Sequence, residues 1–349
     1  MEKHNVLWIE FIRFLATFSV VWLHSAAPLL YKYNELSIID WWTGNIYDSM
    51  VRTCVPLFFM LSGYLLLDKS ETLGNFFAKR INKVLVPLVV WSIFYILWKR
   101  YYENGEPLSF YSFYSLLLTP AYYHLWFFYA IIGLYLYVPI LRIFVQNSKI
   151  TILYYFIVLW FFAVSIIPFI EKETHVNSII DLKMISGYVG YLVIGHVLGK
   201  IKINKKILML SFLVAFLSFL VTIIATYFFT AQNGGIFYDY FYEYLSPNII
   251  LMSVAVFILL KYISEEFSVF ENYTVRKVIQ TLSSASLGTY LVHTMVIFVL
   301  QKGDLGFTLS PFSTAAIYSV PLTAITTFFL SFLIIFVLQK IPLLNKCVP

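Results

Sequence analysis

Cysteine is nearly absent from this chain: two residues, Cys54 and Cys347, fall on separate stretches of its 349 residues. No disulfide framework follows from them. Charge is scarce as well, at 12% of residues, about half the share of an ordinary soluble domain. No HExxH, metal-spaced Cys/His cluster, Walker-type glycine loop or GxGxxG occurs, so no metal is expected and the nucleotide-fold chemistries lose their signatures. Glu10 and Asp48 are the only obvious carboxylates in or beside a span, whereas proton and cation transporters commonly place acids near mid-membrane. No linker, low-complexity tract or repeat interrupts the chain. The longest polar connections, 99–123, 171–183 and 231–247, are too short to fold alone. The expectation is one domain over 1–349.

What fills the sequence is apolar: 60% hydrophobic, 20% aromatic, mean hydropathy +0.81. Blocks of about 20 apolar residues recur from end to end, each long enough to cross a bilayer. Helices are the expected form, because a segment in lipid must satisfy its own backbone. The reading is all-α and polytopic, with ten spans at 6–30, 46–67, 84–98, 125–144, 150–170, 184–198, 207–230, 249–263, 282–300 and 312–338. With the N-terminus inside, 16 of the 24 Lys and Arg residues fall in inner segments and seven in outer ones, Arg13 lying within the first span. Both termini are therefore expected in the cytoplasm. These loops account for the net charge of +6, and nothing in the pattern points to nucleic acid. Arg13 within the apolar run also argues against a cleaved signal peptide.

"EFIRFLATFSVVWLHSA" places Arg13 and His24 in the first span. Eleven residues turn a helix back to nearly the same face and advance it about 16 Å. A polar stripe of this kind faces protein or water, and ionisable residues in it are candidate site residues. The plainer reading pairs Glu10 with Arg13 at one interface. His24 has no local acid and suits proton transfer near neutral pH. "YDSMVRTCVPLFFMLSGYLLL" sets Asp48 and Arg52 one turn apart, with Pro56 suggesting a kink and Ser62-Gly63 a close backbone approach. Arg80 and Lys83, with Lys79, either anchor the third span or recognise phosphate. His124 opens the fourth span and His293 lies inside the ninth. In "GHVLG", Gly195 and Gly199 make helix packing the expected role around His196.

Arg13 and His24 at this spacing, "VPLFFMLSGYLLL" (55–67), "YHLWFFYAIIGLYLYVPIL" (123–141) and "SLGTYLVHTMVI" (286–297) together resemble the membrane-bound acyltransferase family 3. The likeness is to the O-acetyltransferase branch that modifies bacterial surface glycans such as the enterobacterial common antigen. It implies a ten-helix domain in the bacterial plasma (inner) membrane, with acetyl-CoA or a related acyl-CoA as donor and a glycan or lipid-linked glycan as acceptor among membrane lipids. It marks His24 as the catalytic histidine, Arg13 as its essential partner and the basic pair before the third span as donor-binding. Here that pair is Arg80 and Lys83, where many members carry two arginines. The hydrolase-like domain fused to some members has no counterpart in the sequence. Asp48, Arg52, His124 and His293 are the expected acceptor-side residues. Direct transfer with His24 as general base leads, and spacing does not separate it from an acyl-enzyme. A transporter or flippase for a lipid-linked glycan or small metabolite is the competing class.

Overall fold

Proline and paired glycines decide where this apolar chain bends and how closely its helices pass. The computed structural model describes residues 7–103, 119–175 and 187–348. Lys3, Lys183, the first residue of span 6–30 and the start of span 184–198 lie outside them. The described residues are helical, with no strand among them. In chain order the α-helices are α1 Leu7–Ala26, α2 Ile38–Val51, α3 Cys54–Leu66, α4 Leu73–Arg80, α5 Val86–Tyr102, α6 Trp126–Asn147, α7 Ile150–Phe161, α8 Ile167–Thr174, α9 Val189–Lys200, α10 Lys205–Gln232, α11 Pro247–Glu266, α12 Tyr273–Ser284, α13 Ser286–Lys302 and α14 Ala316–Leu338.

Joined across their short breaks, these give eight segments long and apolar enough to span a bilayer, and α12 with α13, bent by 64°, gives a ninth. The protein is an all-α, multi-pass membrane protein. The expected span 84–98 is longer than its sequence block, running over Leu73–Tyr102. The expected span 184–198 corresponds to α9, only 12 residues long in the described part.

Each break has a local cause. Pro56 cannot donate to Arg52 and its ring crowds that carbonyl, so α2 ends and α3 restarts at Cys54. Pro87 and Pro168 act in the same way on Lys83 and Val164. At both places one turn widens to a π-helix, Ile81–Leu85 and Phe162–Ile166, which relieves the clash.

Helix α3 crosses α9 backbone to backbone. A Cβ on Gly63 would strike the Leu192 backbone, and one on Gly195 would strike that of Met60. Only hydrogen permits this approach, the small-residue packing that lipid-embedded helices favour. In α10 the usual amphipathicity is inverted: Ser211, Ser218, Thr222, Thr226 and Thr230 are buried while Met209, Phe212 and Phe216 face outward. Helix α1 lies centrally, packed against α2, α3 and α11 to α14, and so holds Arg13 and His24 inside the protein.

Candidate active site

One end of the bundle gathers cations around an acid. Glu71, in the loop before α4, accepts from Arg142 Nη2 and Lys79 Nζ at 2.8 Å each, while Arg80 Nη2 stands 3.7 Å away. Hydrogen bonds from Lys79, then Arg142, hold the Glu71 carboxyl down at about 2. With both carboxylate oxygens taken at short range, Arg80 keeps only a loose ion pair. Its guanidinium lies over Phe76, 4.6 Å from the ring centroid, and 5.7 Å from that of Tyr135. It is positioned by aromatic faces and left with donors to spare.

Arg80 opens into a cavity of about 320 Å³ that Arg13, Lys69, Lys83, Ser62, Tyr135, Ser286 and Tyr290 help to line. Four cations thus share one chamber. The π-turn of Ile81–Leu85 carries Lys83 to its rim, where the side chain is exposed. Arg13 is not ion-paired with Glu10; its guanidinium donates to Ser283 Oγ at 3.4 Å, a weak tie. Ser286 and Leu287 bring the N-terminus of α13 to the wall, adding the positive end of a helix dipole. The deeper wall is apolar, with Phe127, Phe128 and Ile131, and Tyr290 lines it as well.

Tyr290 links this chamber to three histidines. Its hydroxyl donates to the His124 carbonyl, and its own carbonyl accepts from His293 Nδ1 at 2.6 Å. The His293 ring stacks on His24, centroids 5.2 Å apart with 29° between planes, and meets His124 edge-on at 5.2 Å. Tyr123 packs its edge against His24 at 5.1 Å. His124 and His293 are fully buried, and the Nε2 atom of each has no partner. Residues some 100 and 270 positions from His24 in the chain thus join it in one cluster.

A second cavity has a volume of about 380 Å³. Arg52, Trp126, Tyr188, Tyr242 and Tyr244 wall it, with Asp239 and Glu243 among its lining residues. Arg52 is locked: Nε and Nη2 reach the two oxygens of buried Asp48 at 2.5 and 3.1 Å, and its guanidinium lies 4.4 Å from the Tyr242 ring centroid. Tyr242 in turn donates to Asn45 and contacts Ser49 Oγ at 2.8 Å. The expected Asp48–Arg52 pair therefore forms, as a bidentate bridge from a half-buried arginine to a buried carboxylate.

The site is divided as the spacing along α1 requires. Arg13 joins Arg80 and Lys83, and His24 joins His124 and His293, the two groups separated along α1 by about 16 Å. Sequence reasoning missed Lys69, Glu71, Tyr135 and Tyr290 as site residues. Tyr290 had a signal, three residues before His293 on one helical face; Glu71 had none.

A family model described as an acyltransferase domain, that of acyltransferase family 3, matches residues 6–339. The chain belongs to this family. No curated protein and no solved structure matches it. For this acyltransferase the remaining residues fall into supporting roles. Lys261 caps α9, its buried amine donating to the carbonyls of Leu198, Gly199 and Ile201 at 3.3, 2.8 and 2.9 Å. His196 sits one turn from Lys200, which bridges to Asp68 at 2.7 Å.

Proposed function

We propose that the protein transfers acetyl from acetyl-CoA to a hydroxyl of a cell-surface or lipid-linked glycan, in a bacterial inner membrane with both termini cytoplasmic. One observation carries the reading: a chamber lined by Arg13, Lys69, Arg80 and Lys83 has Tyr290 on its wall, and Tyr290 is hydrogen-bonded to His124 and to His293, whose ring packs on His24. Coenzyme A is a polyphosphate joined to a long, slender arm that ends in the reactive sulfur. The cations suit the phosphates by charge-assisted hydrogen bonds, and the apolar walls suit the arm. Arg13 belongs with the donor's phosphates in this reading, because it lies too far along α1 to touch a group reacting at His24.

His24 takes the acceptor's hydroxyl proton as the oxygen attacks the thioester carbon. Ring-lined cavities suit sugars, whose C–H faces lie flat on aromatic side chains. Trp126 and Tyr244 stack at 5.7 Å beside Arg52 in such a wall. Arg52 is paired with Asp48 through Nε and Nη2 and lies over Tyr242, so in this reading it orients the acceptor through that ring and does not act as an unpaired cation.

Purified protein is given acetyl-CoA labelled in its acetyl group and surface glycans from cells lacking the protein. Label in the glycan, lost with His24→Ala, is the expected result. Net movement of glycan or metabolite across a membrane with no label transferred overturns the reading in favour of a transporter.

A further inference from the structure

Arg142 is a buried cation on α6 that lines neither cavity described above. Three groups around the donor chamber nevertheless converge on it. Its Nε donates to the carbonyl of Leu66 at 2.8 Å, at the end of α3, and Leu66 lines the chamber. Its Nη2 donates to Glu71 Oε1 at 2.8 Å. Its guanidinium lies 4.7 Å from the centroid of Phe76, the buried ring that also carries Arg80 at 4.6 Å. One turn further along α6, Gln146 donates to the next carbonyl of the α3 terminus, that of Leu67, at 2.9 Å.

The contest is over one oxygen. Arg80 Nη2 stands 3.7 Å from Glu71 Oε1, the same atom that Arg142 holds at 2.8 Å, while Lys79 takes Oε2. An oxygen engaged in a short charge-assisted hydrogen bond has less to offer a second guanidinium. Without Arg142, the carboxylate of Glu71, whose side chain is only 10% exposed, lacks a donor that burial makes costly to lose. Arg80 is the next cation at that oxygen. We propose that Arg142 is a positioning residue for donor binding: by holding Glu71 Oε1, it keeps Arg80 out of a closed ion pair and available to the donor's phosphates. This inference rests on the proposed donor site. Arg142 itself touches no donor in this account, and its influence on affinity passes through Glu71.

That route sets the test, a double-mutant cycle on acetyl-CoA binding by the full-length protein in detergent. Arg142→Gln is expected to raise the Kd at least about 10-fold, as capture of Arg80 withdraws its charge-assisted hydrogen bonds. With Glu71→Gln already in place, the same change should move the Kd less than about 2-fold, because a neutral amide does not capture Arg80. Equal effects in the two backgrounds overturn the proposal, since a general loss of positive charge, or of the tie to Leu66, acts alike whether or not position 71 is an acid. An unchanged Kd in Arg142→Gln alone overturns it too. Monodisperse elution serves as the folding criterion. Where Arg142→Gln fails it, Arg142→Met, which keeps an unbranched stem beside Phe76, is read the same way. Failure of both, or of the Glu71→Gln background, assigns this corner to folding and overturns the proposal. If wild type binds no acetyl-CoA, the donor-site reading fails and this one with it, a result distinct from a variant that differs from a binding wild type.

Discussion

Arg52 and Arg80 are the same residue in two settings, and their partners separate their uses. Arg52 has a carboxylate to itself, held through two hydrogen bonds and an aromatic face. Arg80 must share Glu71 with Arg142 and Lys79, which hold it more closely. The first is a fixed strut beside the histidines; the second is a cation held ready for an anion. Counting arginines in a membrane protein therefore says little until the competing donors around each carboxylate are known.

The largest effect should come from the region between them. His24→Ala is expected to lower kcat by about 100- to 10,000-fold, the range of general-base loss, with acetyl-CoA binding retained. Near-normal turnover in a folded variant would remove His24 from the chemistry.

Next comes the strut. Asp48→Asn leaves the half-buried Arg52 charge unmatched, and breaking a fully buried pair costs about 3–5 kcal/mol, an upper bound here. Thermal unfolding in detergent should therefore show a marked fall in Tm, while Asp48→Leu with Arg52→Leu together recovers much of it. A wild-type Tm for Asp48→Asn would show that Arg52 is not a strut.

The held-ready cation should behave in the opposite way. Arg80→Ala removes charge-assisted hydrogen bonds worth about 1.5–3 kcal/mol, so the Kd for acetyl-CoA should rise about 10- to 100-fold with little change in Tm. Lys83→Arg should be tolerated. Unchanged donor affinity with a lowered Tm would place Arg80 in the same class as Arg52.

The smallest effect is on pH. Glu71 is held at about 2, below an ordinary glutamate at about 4.3, so its stabilising contribution is complete above the ordinary value. It fades as pH falls from there towards 2. Glu71→Gln should remove that acid limb from a plot of Tm against pH between 7 and 3; an unchanged limb would assign it to other carboxylates.

Much of the fold was legible because lipid demands long apolar helices, and the chain writes them plainly. Gly63 and Gly195 mark a crossing. The extent of the third span was not legible, since α4 is not apolar overall and joins α5 through a π-turn just ahead of Pro87. At the site, Arg13, His24, Arg52, Arg80, Lys83, His124 and His293 were visible singly. Their grouping was not: the meeting of His24, His124 and His293 depends on α13 bending at Ala285 and on the 3₁₀ turn Tyr123–Leu125. Glu71 lies in a polar loop like any other until Arg142, 71 residues away, reaches it.

The central claim is that donor phosphates and acceptor hydroxyl meet the protein at opposite ends, with the acyl group crossing between them. Sealed vesicles of known orientation test it most directly, with labelled acetyl-CoA confined to the cytoplasmic side and acceptor glycan to the other. The account expects label to reach the glycan across the intact membrane. Transfer only when both reactants share the cytoplasmic side would contradict it.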